Sequence, residues 1–143
     1  MIRFISTEDT LALRSLVLRE GADHELCRFE GDDSESSFHL GYFKDEELIC
    51  IASFHKQGRE GFDGTGYQLR GMATLPDFQG KGIGNQLLNF AIVYLRGLKA
   101  NYIWCNARKA ALRFYLGLGF EFISDEFEIE GVGPHRVMYA KIR

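Results

Sequence analysis

Apolar and polar positions change their spacing several times along this chain, and each change marks the start of a new element. Met1 to Ile5 is a short β-favouring run. Ser6-Thr7-Glu8-Asp9 then reads as a helix cap with acidic residues in the first turn, and the helix it opens runs through Leu18. From Glu20 to Ser37 the chain is polar, acidic and glycine-containing, which predicts a loop or a short irregular helix near the surface. Phe38 to Phe43 and Leu48 to His55 read as strands, and the tight charged turn Lys44-Asp45-Glu46-Glu47 makes them an antiparallel hairpin. A loop from Lys56 to Gly66 with four glycines leads into an apolar strand, Tyr67 to Leu75, stopped by Pro76.

The period then becomes helical. Ile83, Leu87, Leu88, Ala91, Ile92 and Leu95 share one side, and Asn85, Gln86, Asn89 and Arg96 fall largely on the other. Asn101 to Cys105 is apolar enough for a buried strand, and Ala107 to Leu116 has helix composition closed by Gly117 and Gly119. Alternation over Glu121 to Glu130 and again over Arg136 to Ile142 predicts two final antiparallel strands. Residues 1–143 therefore form a single alternating α/β unit, free of internal repeats, low-complexity stretches and linkers.

Composition narrows the function classes. A chain of 143 residues suits one domain, and such a domain buries roughly two-thirds of its unfolded surface, so it requires no disulfide staple. A net charge of -3 without a long basic run argues against nucleic acid as partner. Cys27, Cys50 and Cys105 are odd in number and lack a C-x-x-C pair, which indicates neither a disulfide framework nor a metal site and suits a reducing cytoplasm. No apolar segment approaches the roughly 18 residues of a membrane span, and no signal peptide is expected.

The segment Gln79-Gly80-Lys81-Gly82-Ile83-Gly84 lies between the strand at Tyr67 and the amphipathic helix. A helix start offers unpaired N–H groups and about half a unit of positive charge, and glycine lets a phosphate approach the backbone. A nucleotide-triphosphate loop is excluded because Gly80-Lys81 is followed by Gly82 rather than Ser or Thr. A dinucleotide loop is excluded because Gly82 and Gly84 are followed by Leu87 and the next strand ends in Cys105-Asn106 without an acidic residue. What remains is Q/R-x-x-G-x-G/A, carried by Gln79, Gly82 and Gly84. It resembles the acyl-CoA pyrophosphate loop of the GNAT N-acetyltransferase superfamily. A second signature follows in Ala107-Arg108, Ala111, Phe114-Tyr115 and Gly119-Phe120, and Leu69 to Thr74 with Gly133-Pro134-His135 is similar to a small bacterial branch of that superfamily.

The resemblance implies a mixed, mostly antiparallel central sheet flanked by helices, with a splayed parallel pair of strands admitting the cofactor. It implies acetyl-CoA as co-substrate, with its pyrophosphate over Gly80 to Gly84 and contacts from Gln79, Lys81, Ile83 and Asn85. Pantetheine and oxyanion contacts are implied for Met72, Ala73 and Thr74, a further cofactor contact for Asn106, and the general-acid position for Tyr115. The chain also departs from the family. Arg108 stands where the superfamily often has Asn. Arg70 and Gly71 stand where many relatives place a Glu, so the amine's base is His135, His39 or a water relay, imidazole being the side chain that titrates near neutral pH. Arg70 adds a fixed positive charge that would suit an acidic acceptor. Cys105 beside Trp104 reads as a core residue rather than an acyl-carrying nucleophile. The expected activity is acetyl transfer to a primary amine of a small molecule or peptide by direct attack, with a homodimer as a possible assembly. The alternative is a non-catalytic acyl-CoA sensor or interaction module.

Overall fold

The computed structural model describes residues 1–143, the whole chain. Eight strands form one sheet: β1 (Ile2–Ile5), β2 (Phe38–Lys44), β3 (Glu47–Lys56), β4 (Gly66–Thr74), β5 (Tyr102–Arg108), β6 (Glu121–Phe122), β7 (Phe127–Ile129) and β8 (Gly133–Lys141). Their order is β1-β2-β3-β4-β5-β8-β6, with β7 also paired to β8. The helices are α1 (Thr7–Leu13), α2 (Ile83–Gly97) and α3 (Leu112–Gly117). Every pairing is antiparallel except β4 with β5, as expected of the mixed sheet.

That parallel pair is short. Gly66, Tyr67 and Gln68 register with Tyr102, Ile103 and Trp104, and beyond them the strands part. The cause lies on the other side of β4, where Gly71 and Met72 together oppose the single Ala52 of β3. Such a bulge bends its strand. Gly71 adopts a φ of +60° to make it, a conformation that a side chain disfavours. From Leu69 to Thr74 the edge of β4 facing β5 is therefore unpaired, while β5 continues on β8 as far as Arg108 opposite His135.

Two different layers cover the sheet. Alternation along β3 sends Cys50, Ala52 and Phe54 toward α2, where Leu87, Leu88, Ala91 and Leu95 are fully buried against them and Ile103. A buried leucine of this kind stabilises by about 1.5–3 kcal/mol relative to exposure. Ile51, Ser53 and His55 point the other way, toward α1. There Leu13 and Ile51 form a small apolar cluster, and the remainder is a buried polar network. No helix is long and apolar enough to cross a membrane.

Several local expectations are corrected. The capping box at Ser6 is present, Ser6 accepting from the Asp9 N–H and Asp9 from that of Ser6, but α1 widens after Leu13 into a π-helical turn, Arg14–Leu18. The 20–37 segment holds a 3₁₀ turn, His24–Cys27, yet it is not a surface segment throughout: Cys27 and Asp32 are buried. Ala107 and Arg108 do not begin a helix. They stay in β5 because Arg136 and His135 of β8 pair with them, and a 3₁₀ turn at Lys109–Ala111 precedes α3. Glu121 to Glu130 is two short strands, because the Ser124 hydroxyl accepts the Val137 N–H at 2.8 Å and interrupts the ladder.

Candidate active site

The glycine loop before α2 is held open by backbone conformation. Gly80 and Gly82 adopt φ of +75° and +79°, and a Cβ on either would meet no atom within 4 Å. Gly82 is the N-cap of α2 and no side chain caps that end, so the first-turn N–H groups stay free for a ligand. Gln79 ties the loop to the end of β4 by donating from Nε2 to the Thr74 carbonyl at 2.9 Å. Lys81 is exposed at the rim, its Nζ 5.9 Å from the centre of the Phe78 ring. Gly84 differs from its neighbours. A Cβ there would lie 3.0 Å from Met72 Cε and 3.2 Å from the Phe114 ring, so this glycine sets how closely α2 approaches β4 and α3.

Two cavities meet where β4 and β5 part. The first, about 610 Å³, joins Gln79, Gly80 and the segment Gly82 to Asn85 with Met72, Ala73 and Thr74, but not with Lys81. The second, about 530 Å³, lies against Arg70, Gly71, Asn106, Arg108 and His135. Met72, Ala111 and Tyr115 line both. Asn106, expected to contact the cofactor, lines the second cavity near the end of β5.

Tyr115 is buried at this junction, its hydroxyl 4.0 Å from the Met72 sulfur. Burial first, and then the neighbouring Cys105 thiol, raises its pKa well above the ordinary phenol, so the hydroxyl keeps its proton. Burial also pushes the Cys105 thiol up to about 12, against a lesser opposing hydrogen bond from Tyr115, which makes it a poor nucleophile at neutral pH. His135 lines the second cavity. Its Nδ1 lies 2.8 Å from the Gly133 carbonyl, which can only accept, so Nδ1 carries a proton and Nε2 is the ring nitrogen left to exchange one.

His39 is elsewhere. It is buried on the α1 side of the sheet, with Nδ1 2.7 Å from Ser53 Oγ and Nε2 3.0 Å from the Asp32 carbonyl, and it lines neither cavity. Burial lowers its pKa despite the favourable Asp32 carbonyl. The expectation that His39 touches an acceptor is thus corrected: it supports a structural network.

That network centres on Arg14 and Asp32. Arg14 is 1% exposed and donates from Nη1 to Asp32 Oδ2 at 2.7 Å and the Cys27 carbonyl at 3.0 Å. Its Nη2 donates to Asp32 Oδ1 at 3.1 Å and Ser53 Oγ at 2.8 Å. His55 Nε2 lies 3.0 Å from Asp32 Oδ1. Burial opposes ionisation of Asp32, but hydrogen bonds from His55, Arg14 and the Phe29 N–H outweigh it and hold the carboxyl far below its usual range.

Arg14 is thereby neutralised, whereas Arg19, Arg70 and Arg108, which also line the second cavity, have no carboxylate within 4.0 Å. Arg19 and Arg108 donate only to the carbonyls of Leu26 and Leu18, each at 3.3 Å. Burial lowers the Arg70 pKa, with Arg14 adding to it and Asp32 opposing, as expected of a cation held out of water. Sequence reasoning found Arg70 but missed Arg19 and gave Arg108 no binding role. The available signal was the arginine standing in place of the family's Asn.

The sheet splits at one parallel pair, with a glycine loop at a helix start on one side of the split and a cavity lined by His135 and several arginines on the other. The chain belongs to the acetyltransferase (GNAT) family, whose model matches residues 6–120. It is 38% identical to YitI, an uncharacterized N-acetyltransferase of Bacillus subtilis (strain 168), over 99% of this chain and 96% of that one. Among solved structures, an aminoglycoside 6'-N-acetyltransferase complexed with coenzyme A superposes with a TM-score of 0.80 at 15% identity, covering 100% of this chain and 97% of the other. The ribosomal-protein-S18-alanine N-acetyltransferase of Escherichia coli gives 0.75 at 19%, covering 99% and 93%. At those identities the structural likeness concerns the fold.

Proposed function

We propose that this protein transfers the acetyl group of acetyl-CoA to the primary amine of an acceptor that also carries an acidic group. The observation that carries the reading is the meeting of an anion-loop cavity and an arginine-lined cavity at Met72 and Tyr115. The residues fit the donor: free N–H groups open α2, open space lies above Gly80 and Gly82, and the unpaired β4 edge from Leu69 to Thr74 can bond an extended amide arm. Acetyl-CoA supplies an acyl group activated as a thioester.

The chain's own residues contribute position and protons. Holding the amine against the thioester makes the reaction effectively unimolecular. N–H groups of the β4 edge around Met72 and Ala73 are the donors for the developing oxyanion. The neutral His135 ring takes the amine proton at Nε2, directly or through one water, as the C–N bond forms. Tyr115 gives its proton to the sulfur as the C–S bond breaks. Arg19, Arg70 and Arg108, without internal counter-ions, receive the acceptor's acid group, and guanidinium forks suit carboxylate and phosphate alike. Release of CoA thiol, measured across amines matched with and without an acid group, tests this. Faster turnover of the acidic member supports it, and tight acetyl-CoA binding without turnover on any amine favours a sensor.

A further inference from the structure

Phe29 comes from the 20–37 segment, outside both sequence motifs, yet its ring lies under two guanidinium groups. Arg14 Cζ is 3.9 Å and Arg70 Cζ 4.2 Å from the ring centre. The ring is itself fixed from behind. The Phe29 N–H donates to Asp32 Oδ2 at 2.8 Å and the Asp32 N–H returns to the Phe29 carbonyl at 3.2 Å, closing the turn on both sides. The same Asp32 carboxylate is anchored to the sheet through Arg14 and His55. Room for the ring is built into β4: a Cβ on Gly71 would come within 2.9 Å of Phe29 Cε2 and 3.0 Å of Arg14 Nε.

The two arginines differ. Arg14 uses both terminal nitrogens on the protein, whereas no hydrogen bond or ion pair within the chain holds Arg70. Its contact with the Phe29 face is a cation–π interaction, which directs a guanidinium while leaving its N–H fork free. Two like charges near one ring repel, and Asp32 offsets this: it pairs directly with Arg14 and attracts Arg70 without an ion-pair contact.

We propose that Phe29 is a positioning residue for acceptor recognition: its ring, locked by Asp32 and Arg14, holds the Arg70 guanidinium facing the cavity for the acceptor's acid group. This rests on the acidic-amine reading above. The test is steady-state kinetics of the full chain with acetyl-CoA, the acidic amine turned over best, and the amide analogue of that amine. Phe29→Leu removes the aromatic face but keeps apolar bulk, and Phe29→Tyr retains the face. A cation–π contact worth about 0.5–2 kcal/mol corresponds to a rise of about 2- to 30-fold in KM for the acidic amine in Phe29→Leu. Its kcat, its acetyl-CoA KM and its KM for the amide analogue stay near wild type, and Phe29→Tyr restores acidic-amine KM. Because Phe29 acts through Arg70, adding Phe29→Leu to Arg70→Gln raises KM by less than about twofold further, a non-additivity expected of coupled residues. Independent multiplication of the two effects overturns the proposal, as does equal loss on the amide analogue or unchanged KM in a folded Phe29→Leu. Wild-type protein that turns over neither amine, or only the amide, refutes the acidic-amine reading and this inference with it. A wild-type preference for the acidic amine that Phe29→Leu leaves undiminished refutes this inference alone.

Discussion

Asp32→Asn is the substitution whose effect on stability follows most directly from the structure. The side chain keeps its size, but Arg14 loses its only carboxylate while remaining 1% exposed, and the new amide presents donors to Arg14, His55 or the Phe29 N–H. Breaking a buried pair by removing one partner costs about 3–5 kcal/mol, chiefly from the charge left behind. That is a large share of the roughly 5–15 kcal/mol that stabilises an ordinary domain. At about 2.1 cal/mol/K per residue, a chain of 143 residues has an unfolding entropy near 0.3 kcal/mol/K, so Tm falls by about 10–17 °C. Thermal melts by circular dichroism at pH 7 measure this. The pH dependence supplies a second arm. Because the folded pKa of Asp32 is depressed, its stabilisation is fully present above the unfolded value near 3.9 and fades as pH falls toward the folded one. The gap between wild type and variant therefore narrows below about pH 4. A Tm drop under about 3 °C at pH 7, or a gap unchanged into acid, refutes the assignment of this pair as a stabilising centre.

Tyr115→Phe keeps the ring and loses the proton donor, so kcat falls by about 10²–10⁴-fold while calorimetric affinity for acetyl-CoA changes little; full turnover would return Tyr115 to a packing role. Gly82→Val places a branched side chain at a φ of +79° in the open space over the anion loop, and acetyl-CoA binding is lost while the apo protein retains its far-UV spectrum. Gly84→Val pushes on Met72 and Phe114, so it lowers Tm as well as affinity, which a melt of the variant measures. His135→Asn lowers kcat/KM without weakening acetyl-CoA binding; an unchanged kcat/KM assigns the proton to a water relay.

Two kinds of information separate cleanly in this molecule. Short-range chemistry was legible in order along the chain: Ser6 and Asp9 cap a helix, Pro76 stops a strand, and the glycines from Gly80 to Gly84 open a helix, because each effect depends on residues a few positions apart. The extent of β5 and the break at Ser124 were not legible, since each depends on what β8 offers across the sheet. The same holds for the second cavity. Arg19, Arg70 and Arg108 come from a helix end, a bulged strand and a strand end, and only the sheet brings them around one space. His39 and His135 look equivalent as isolated imidazoles. Tertiary packing buries both, but it ties both nitrogens of His39 to Ser53 and Asp32, whereas His135 is bonded through Nδ1 to Gly133 and lines the second cavity, because which face of a strand points to a cleft is set by register. The sequence by itself determined the helix cap, the glycine loop that opens α2 and the alternation of elements; the split sheet, the paired Arg14 and the unpaired arginines were decided by long-range contacts, where burial and charge compensation act on residues distant along the chain.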